Sequence, residues 1–181
     1  MGRIRSTEGG SMALIRMDIQ TIVVCGGNIT SLVILRTRAD GRDVQLPIRI
    51  GTVEATAISM GVNGAPAKRP LTHDLLLSTI KTLGAQVESI TIAKVEGTTF
   101  YARITLRLPD ESVRNIDARP SDAIALAVRA GAPIFATEDV VDTATLPDFG
   151  GVEEAERQHS LEEFHSFVEN LSPADFGESA E

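Results

Sequence analysis

Residues 100–108 read Phe-Tyr-Ala-Arg-Ile-Thr-Leu-Arg-Leu. Phe100, Ala102, Ile104, Leu106 and Leu108 therefore alternate with Tyr101, Arg103, Thr105 and Arg107. A strand turns successive side chains to opposite faces, so this period of two sorts the apolar set onto one face. One such strand has no stable existence alone. It needs paired neighbours and an apolar layer to cover its inner face. The rest of the chain supplies both. Asp18–Cys25 and Ser31–Thr37 are apolar, β-branched runs, and Asp40-Gly41 marks a tight turn. Val44, Leu46, Ile48 and Ile50 then alternate with Gln45, Pro47 and Arg49. Pro47 cannot donate to a ladder, which predicts an edge strand or a bulge there. Residues 86–95 read as a strand whose apolar phase slips between Val87 and Ile90, predicting a bulge. Shorter strands are expected up to Asp117 and over Pro133–Ala136, the second followed by an acidic turn.

Three helices are expected among these strands. The first covers Val53–Met60. The second follows Thr72 as N-cap, has Leu75, Leu76, Ile80 and Leu83 on one face, and stops at Gly84. The third covers Pro120–Ala130, is rich in alanine and stops at Gly131. The expected fold class is α+β: a mostly antiparallel sheet with three core helices packed on it, plus a C-terminal amphipathic helix. The domain plan has a flexible leader over 1–16, the core domain over 17–147 and an acidic extension over 148–181. In the extension, Ser160 and Glu163 make a capping box, and Leu161, Phe164, Phe167, Val168 and Leu171 share one helical face.

Charge is divided along the chain. Residues 1–130 hold 16 Lys and Arg against 12 Asp and Glu, whereas residues 131–181 hold one against 13. The net charge of −8 thus hides a mildly basic core that can meet phosphate locally. Cys25 is the only cysteine, which excludes an intramolecular disulfide and a cysteine-based zinc site. Within Ile22-Val23-Val24-Cys25 it reads as a buried small hydrophobe. No apolar stretch is long enough to span a bilayer, and residues 1–16 lack the apolar segment of a signal peptide. The expected setting is cytoplasmic, with no membrane attachment.

Two segments carry the chemistry. Arg69-Pro70-Leu71-Thr72-His73-Asp74 opens the second helix and Arg119-Pro120-Ser121-Asp122 opens the third. Both place Arg-Pro before a hydroxyl residue and then a carboxylate. Helix N-termini present unpaired N–H groups and partial positive charge, so an adjacent arginine makes each a candidate phosphate site. The same residues are ordinary helix starters, since proline, Ser or Thr and an early Asp all suit a first turn. Arg69, Thr72, Arg119 and Ser121 are the candidate phosphate-binding residues. His73 is the core's one histidine and can move a proton near neutral pH. Asp74 and Asp122 are its candidate catalytic partners. Asp74, Asp117, Asp122 and Glu54 can offer oxygens to Mg²⁺ or Mn²⁺. Adjacent helical residues point about 100° apart, so His73 and Asp74 need not act together. His159 and His165 lie in the acidic tail and read as solvated or packed.

At these segments the sequence resembles the bifunctional nuclease family. The matching stretches are Ile48–Ile58 (IRIGTVEATAI), Arg69–Leu76 (RPLTHDLL), Phe100–Leu106 (FYARITL) and Ile116–Pro133 (IDARPSDAIALAVRAGAP). They cover, in order, most of the core, and Leu171–Phe176 resembles the C-terminal extension of some bacterial members. The resemblance implies a compact α+β core, self-association into a homo-oligomer such as a dimer, and nuclease activity on RNA and DNA. The expected function is a metal-assisted phosphodiesterase acting on nucleic acid. The alternatives are a non-catalytic module that binds a nucleotide or another anion, and a protein-interaction domain.

Overall fold

A computed structural model describes residues 13–25, 30–37, 44–64 and 68–144. The described chain folds as β1 (Leu14–Val23), β2 (Ser31–Thr37), β3 (Gln45–Ile50), α1 (Thr52–Val62), α2 (Thr72–Thr82), β4 (Gln86–Glu96), β5 (Thr99–Arg107), β6 (Val113–Ala118), α3 (Pro120–Ala130), β7 (Ile134–Thr137) and α4 (Glu138–Ala144). The strands form one seven-stranded sheet in the order β3-β2-β1-β7-β4-β5-β6. Neighbours are antiparallel except β4 and β7, which run parallel. The α+β class read from the sequence is the one observed.

The alternation in the sequence sets which face is covered. Ala102, Ile104 and Leu106 of β5 are buried, while Tyr101 and Arg103 on the alternate positions are exposed. Val33 and Leu35 of β2 and Leu46, Ile48 and Ile50 of β3 continue that inner face. Helix α3 packs on β4 and β5, α1 on β1 and β2, and α1 and α2 both pack on α3. Helix α3 can lie this deep because Ala123, Ala125 and Ala127 have almost no side chain to displace, with Ile124 and Leu126 filling the gaps. Full burial of each Ile or Leu contributes about 1.5–3 kcal/mol.

Several expectations meet their physical outcome here. Pro47 sits on β3, an edge strand, where its missing N–H breaks no ladder. The register of β4 on β5 shifts between Val87 and Ser89, where the apolar phase slips, and again between Ile92 and Lys94. Helix α3 ends on Gly131 and α2 is followed by Gly84, both at positive φ. Other expectations need correction. Strand β1 begins at Leu14, inside the segment read as a leader, because Leu14–Met17 pairs with β7. The acidic turn after β7 is helix α4, whose Val140, Val141 and Ala144 are buried. Cys25 is only half-buried: it lies past the end of β1, with its N–H on Ser31 Oγ and its carbonyl on Thr52 Oγ1. The C-terminal amphipathic helix, His159 and His165 lie outside the described residues.

Candidate functional site

Helices α1, α2 and α3 bring their first turns into one chain of polar contacts. Pro120 at the first position of α3 sets the backbone into the helix and leaves Arg119 as N-cap. From there Arg119 reaches forward to its own helix and sideways to α1. Its Nε donates to Asp122 Oδ2 at 2.7 Å and Nη2 to Asp122 Oδ1 at 3.1 Å. Its Nη1 donates to Glu54 Oε1, in the first turn of α1, at 3.1 Å. His73, in the first turn of α2, places Nε2 at 3.2 Å from Asp122 Oδ1. The cluster therefore runs Glu54–Arg119–Asp122–His73. His73 is well buried, with 13% of its side chain exposed, while Arg119 is 65% exposed and open to solvent or ligand.

Arg119 sets the electrostatics. Its two-pronged contact, ahead of the His73 hydrogen bond, holds the Asp122 carboxyl below the usual carboxylate range, and Asp122 raises the Arg119 guanidinium in turn. Asp122 is thus a carboxylate throughout the neutral range. It can orient the His73 ring by accepting Nε2–H, which leaves Nδ1 as the ring's proton acceptor.

Asp74 belongs to a different contact. Its Oδ2 accepts the Leu71 N–H at 2.9 Å, and its Oδ1 accepts Arg129 Nε at 2.6 Å. The backbone N–H first, then Arg129, holds the Asp74 carboxyl below its usual range. The arrangement is half of a capping box, with Leu71 as the N-cap residue in place of the expected Thr72. Thr72 is the first helical residue and is exposed. Arg129 is 8% exposed and also donates Nη1 to the Ala125 carbonyl at 2.8 Å. Asp74 and Arg129 line a groove of about 710 Å³ between α1, α2 and the last turn of α3, with Met60, Leu77 and Lys81. Its central charges are already paired with each other.

A second, smaller cleft of about 310 Å³ opens beside the Arg119 cluster. Its lining includes Gly51, Glu54, Phe100, Arg119 and Ser121. Ser121 is 5% exposed.

The sequence-derived candidates thus separate. His73, Arg119 and Asp122 come together; Ser121 lines the adjoining cleft; Asp74 is held by the fold. Arg69 is exposed, and no ion pair or hydrogen bond ties it to the cluster. The trio Asp74, Asp117 and Asp122 is not assembled as a metal site. Asp74 faces Arg129, Asp122 faces Arg119 and His73, and Asp117 is exposed on the edge strand β6 opposite Arg103. Among the described residues, no group of three or more His, Cys, Asp or Glu side chains is gathered to hold a metal ion. The candidate Mg²⁺ or Mn²⁺ ligands Asp74, Asp117 and Asp122 are therefore not gathered at one point.

Arg129 was not singled out from the sequence. Its signal is its place in a buried, alanine-rich helix, where a guanidinium must find a carboxylate. The cluster formed by Arg119, Asp122 and Glu54 adds a role for Glu54 that composition alone does not show.

The profile of the bifunctional nuclease domain matches residues 33–148, which include every residue of this cluster. The chain belongs to the bifunctional nuclease domain family. Two relatives, both described as uncharacterised proteins and each from a strain of Mycobacterium tuberculosis, are 39% identical over 148 residues. The match covers 80% of this chain and 87% of each relative. Among the described residues no helix is long and apolar enough to cross a membrane.

Proposed function

We propose that this bifunctional nuclease domain protein is a phosphodiesterase acting on RNA or DNA, with His73 and Asp122 handling the proton and Arg119 meeting the phosphate. The observation that carries the reading is the 3.2 Å contact between His73 Nε2 and Asp122 Oδ1, with Arg119 forked on the same carboxylate. A carboxylate that fixes an imidazole's orientation is a recurrent device for making the other ring nitrogen a usable base. Hydrolysis needs water activated by such a base and positive charge against the developing negative charge of phosphorus-bound oxygen. His73 Nδ1 supplies the first and the exposed Arg119 the second. Arg69 and Thr72, exposed at the start of α2, belong to the reading as outer contacts to the strand's backbone. Family membership supports the nucleic-acid substrate.

The test is cleavage of single-stranded RNA and DNA by wild type and His73→Ala protein purified side by side, with Mg²⁺, with Mn²⁺ and with a chelator. His73→Ala is expected to lower the rate by about 10²–10⁴-fold. A wild-type rate in His73→Ala removes the mechanism.

A second reading has its own observation: both carboxylates beside Arg119 are engaged by it, and among the described residues the acidic side chains gather no metal site. On that reading the protein binds a nucleotide or another anion without turnover. It gives saturable thermal stabilisation by ligand, lost in Arg119→Ala, and no cleavage under any metal condition.

A further inference from the structure

We infer that the 310 Å³ cleft between the first turns of α1 and α3 is a phosphate subsite, formed by Ser121 and Arg119, and that Glu54 is the built-in carboxylate a phosphate must displace. The inference rests on the reading of Arg119 as a phosphate-binding residue and names what else holds the group and what opposes it.

Three observations support it. The first is Ser121. It is 95% buried, yet its hydroxyl has no hydrogen-bond partner among the described residues, and it lines the cleft. No fully buried side-chain polar atom among the described residues lacks a partner, so this hydroxyl keeps its access through the cleft. A hydroxyl held so, in the first turn of α3, can donate to an oxygen acceptor that enters the cleft. The second is the position of Glu54. Its side chain folds back over the N-cap of its own helix, so that a Cβ on Gly51 would run into Glu54 Oε2. A carboxylate thus already lies where the N–H groups of α1 favour negative charge. The third is the guanidinium itself. Arg119 spends Nη1 on Glu54 Oε1 and its other two donor nitrogens on Asp122. The Asp122 contact lies within α3, whereas the Glu54 contact bridges two helices and can be exchanged without unfolding either one. An incoming phosphate would take over Nη1 and the Ser121 hydroxyl, and Glu54 would swing to solvent.

The volume sets the ligand class. A cleft of about 310 Å³ is at the lower limit of small-molecule sites. It has room for one phosphate with part of its nucleotide.

The experiment is calorimetric titration with inorganic phosphate and with uridine 5′-monophosphate, using the 181-residue protein and two variants. Glu54→Gln keeps the shape and removes the competing charge; it is expected to tighten binding of both probes by about tenfold. Ser121→Ala is expected to weaken both by about five- to tenfold, an effect of one hydrogen bond to a charged acceptor. Thermal unfolding without ligand confirms that each variant is folded. Unchanged affinity in both folded variants overturns the subsite, even if His73-dependent cleavage is present. Shifted affinities in a protein that cuts nothing uphold the subsite and remove only the hydrolytic reading. Tighter binding of the mononucleotide alone, with phosphate unaffected by either variant, also overturns it.

Discussion

Asp74 and Asp122 occupy equivalent places, each in the first turn of a helix that follows an Arg-Pro pair, yet their fates differ. Asp74 caps α2 and neutralises the buried Arg129, so its removal acts on stability. Asp74→Ala takes the carboxylate from an 8%-exposed guanidinium, which keeps only its bond to the Ala125 carbonyl, and frees the Leu71 N–H, with an expected loss of about 1–3 kcal/mol by urea denaturation. Asp122→Asn should instead act mainly on function. The fold tolerates an amide there, but the partner that orients His73 and balances Arg119 is lost. Both carboxyls are held below the usual range, Asp122 chiefly by Arg119 and Asp74 chiefly by the Leu71 N–H. Depressed folded-state pKa values mean that the unfolded chain takes up protons first as pH falls. The stability they contribute is complete above about pH 4, the ordinary Asp value, and drains away below it. Denaturation midpoints measured between pH 7 and pH 2.5 should show that acid loss, and the loss should be shallower in Asp74→Asn.

At the scale of elements, the packing of α1 against α3 decides whether Glu54 can meet Arg119. Gly61 in α1 lies tight against the last turn of α3. A Cβ there would lie 2.5 Å from Val128 Cγ2 and 2.7 Å from Arg129 Nη1. Alanine is worth about 1 kcal/mol over glycine inside a helix, but overpacking costs about 1–3 kcal/mol. Gly61→Ala is therefore expected to destabilise despite its better helix propensity, and to loosen the Asp74–Arg129 pair beside it. A melting temperature equal to or above that of wild type would refute this. Gly84, which follows α2 at φ 75°, is under a second constraint of the same kind, since a Cβ there would meet Pro109 Cγ at 2.9 Å. Much of this level was legible in the sequence. The alternation over 100–108, the phase slip after Val87, the proline in β3 and the glycines after α2 and α3 are local signals with local causes. Helix α4 was missed because Thr137-Glu138-Asp139 has the polarity of a turn, and its helical state is secured by burying Val140 and Val141.

For the whole molecule, the decisive feature is β7. Four residues at the end of the core enter the middle of the sheet, antiparallel to β1 and parallel to β4. They join the β3-β2-β1 and β4-β5-β6 halves, so neither half has its full set of neighbours until residues 134–137 are in place. A chain ending at Gly131 is expected to lose cooperative unfolding altogether. A sharp two-state urea transition in that truncated chain would show that the halves are self-sufficient. The sequence by itself determined the seven strands, helices α1 to α3, the inner faces of β3 and β5 and the two Arg-Pro helix starts, because these follow from periodicity and from backbone chemistry within a few residues. Tertiary structure alone decided that His73 meets Asp122 across 49 positions, that Asp74 is given to Arg129, and that Glu54 lies on Arg119. Those pairings depend on how three helices cross over one sheet, and a 100° step between neighbours on a helix is enough to send two adjacent side chains to different partners.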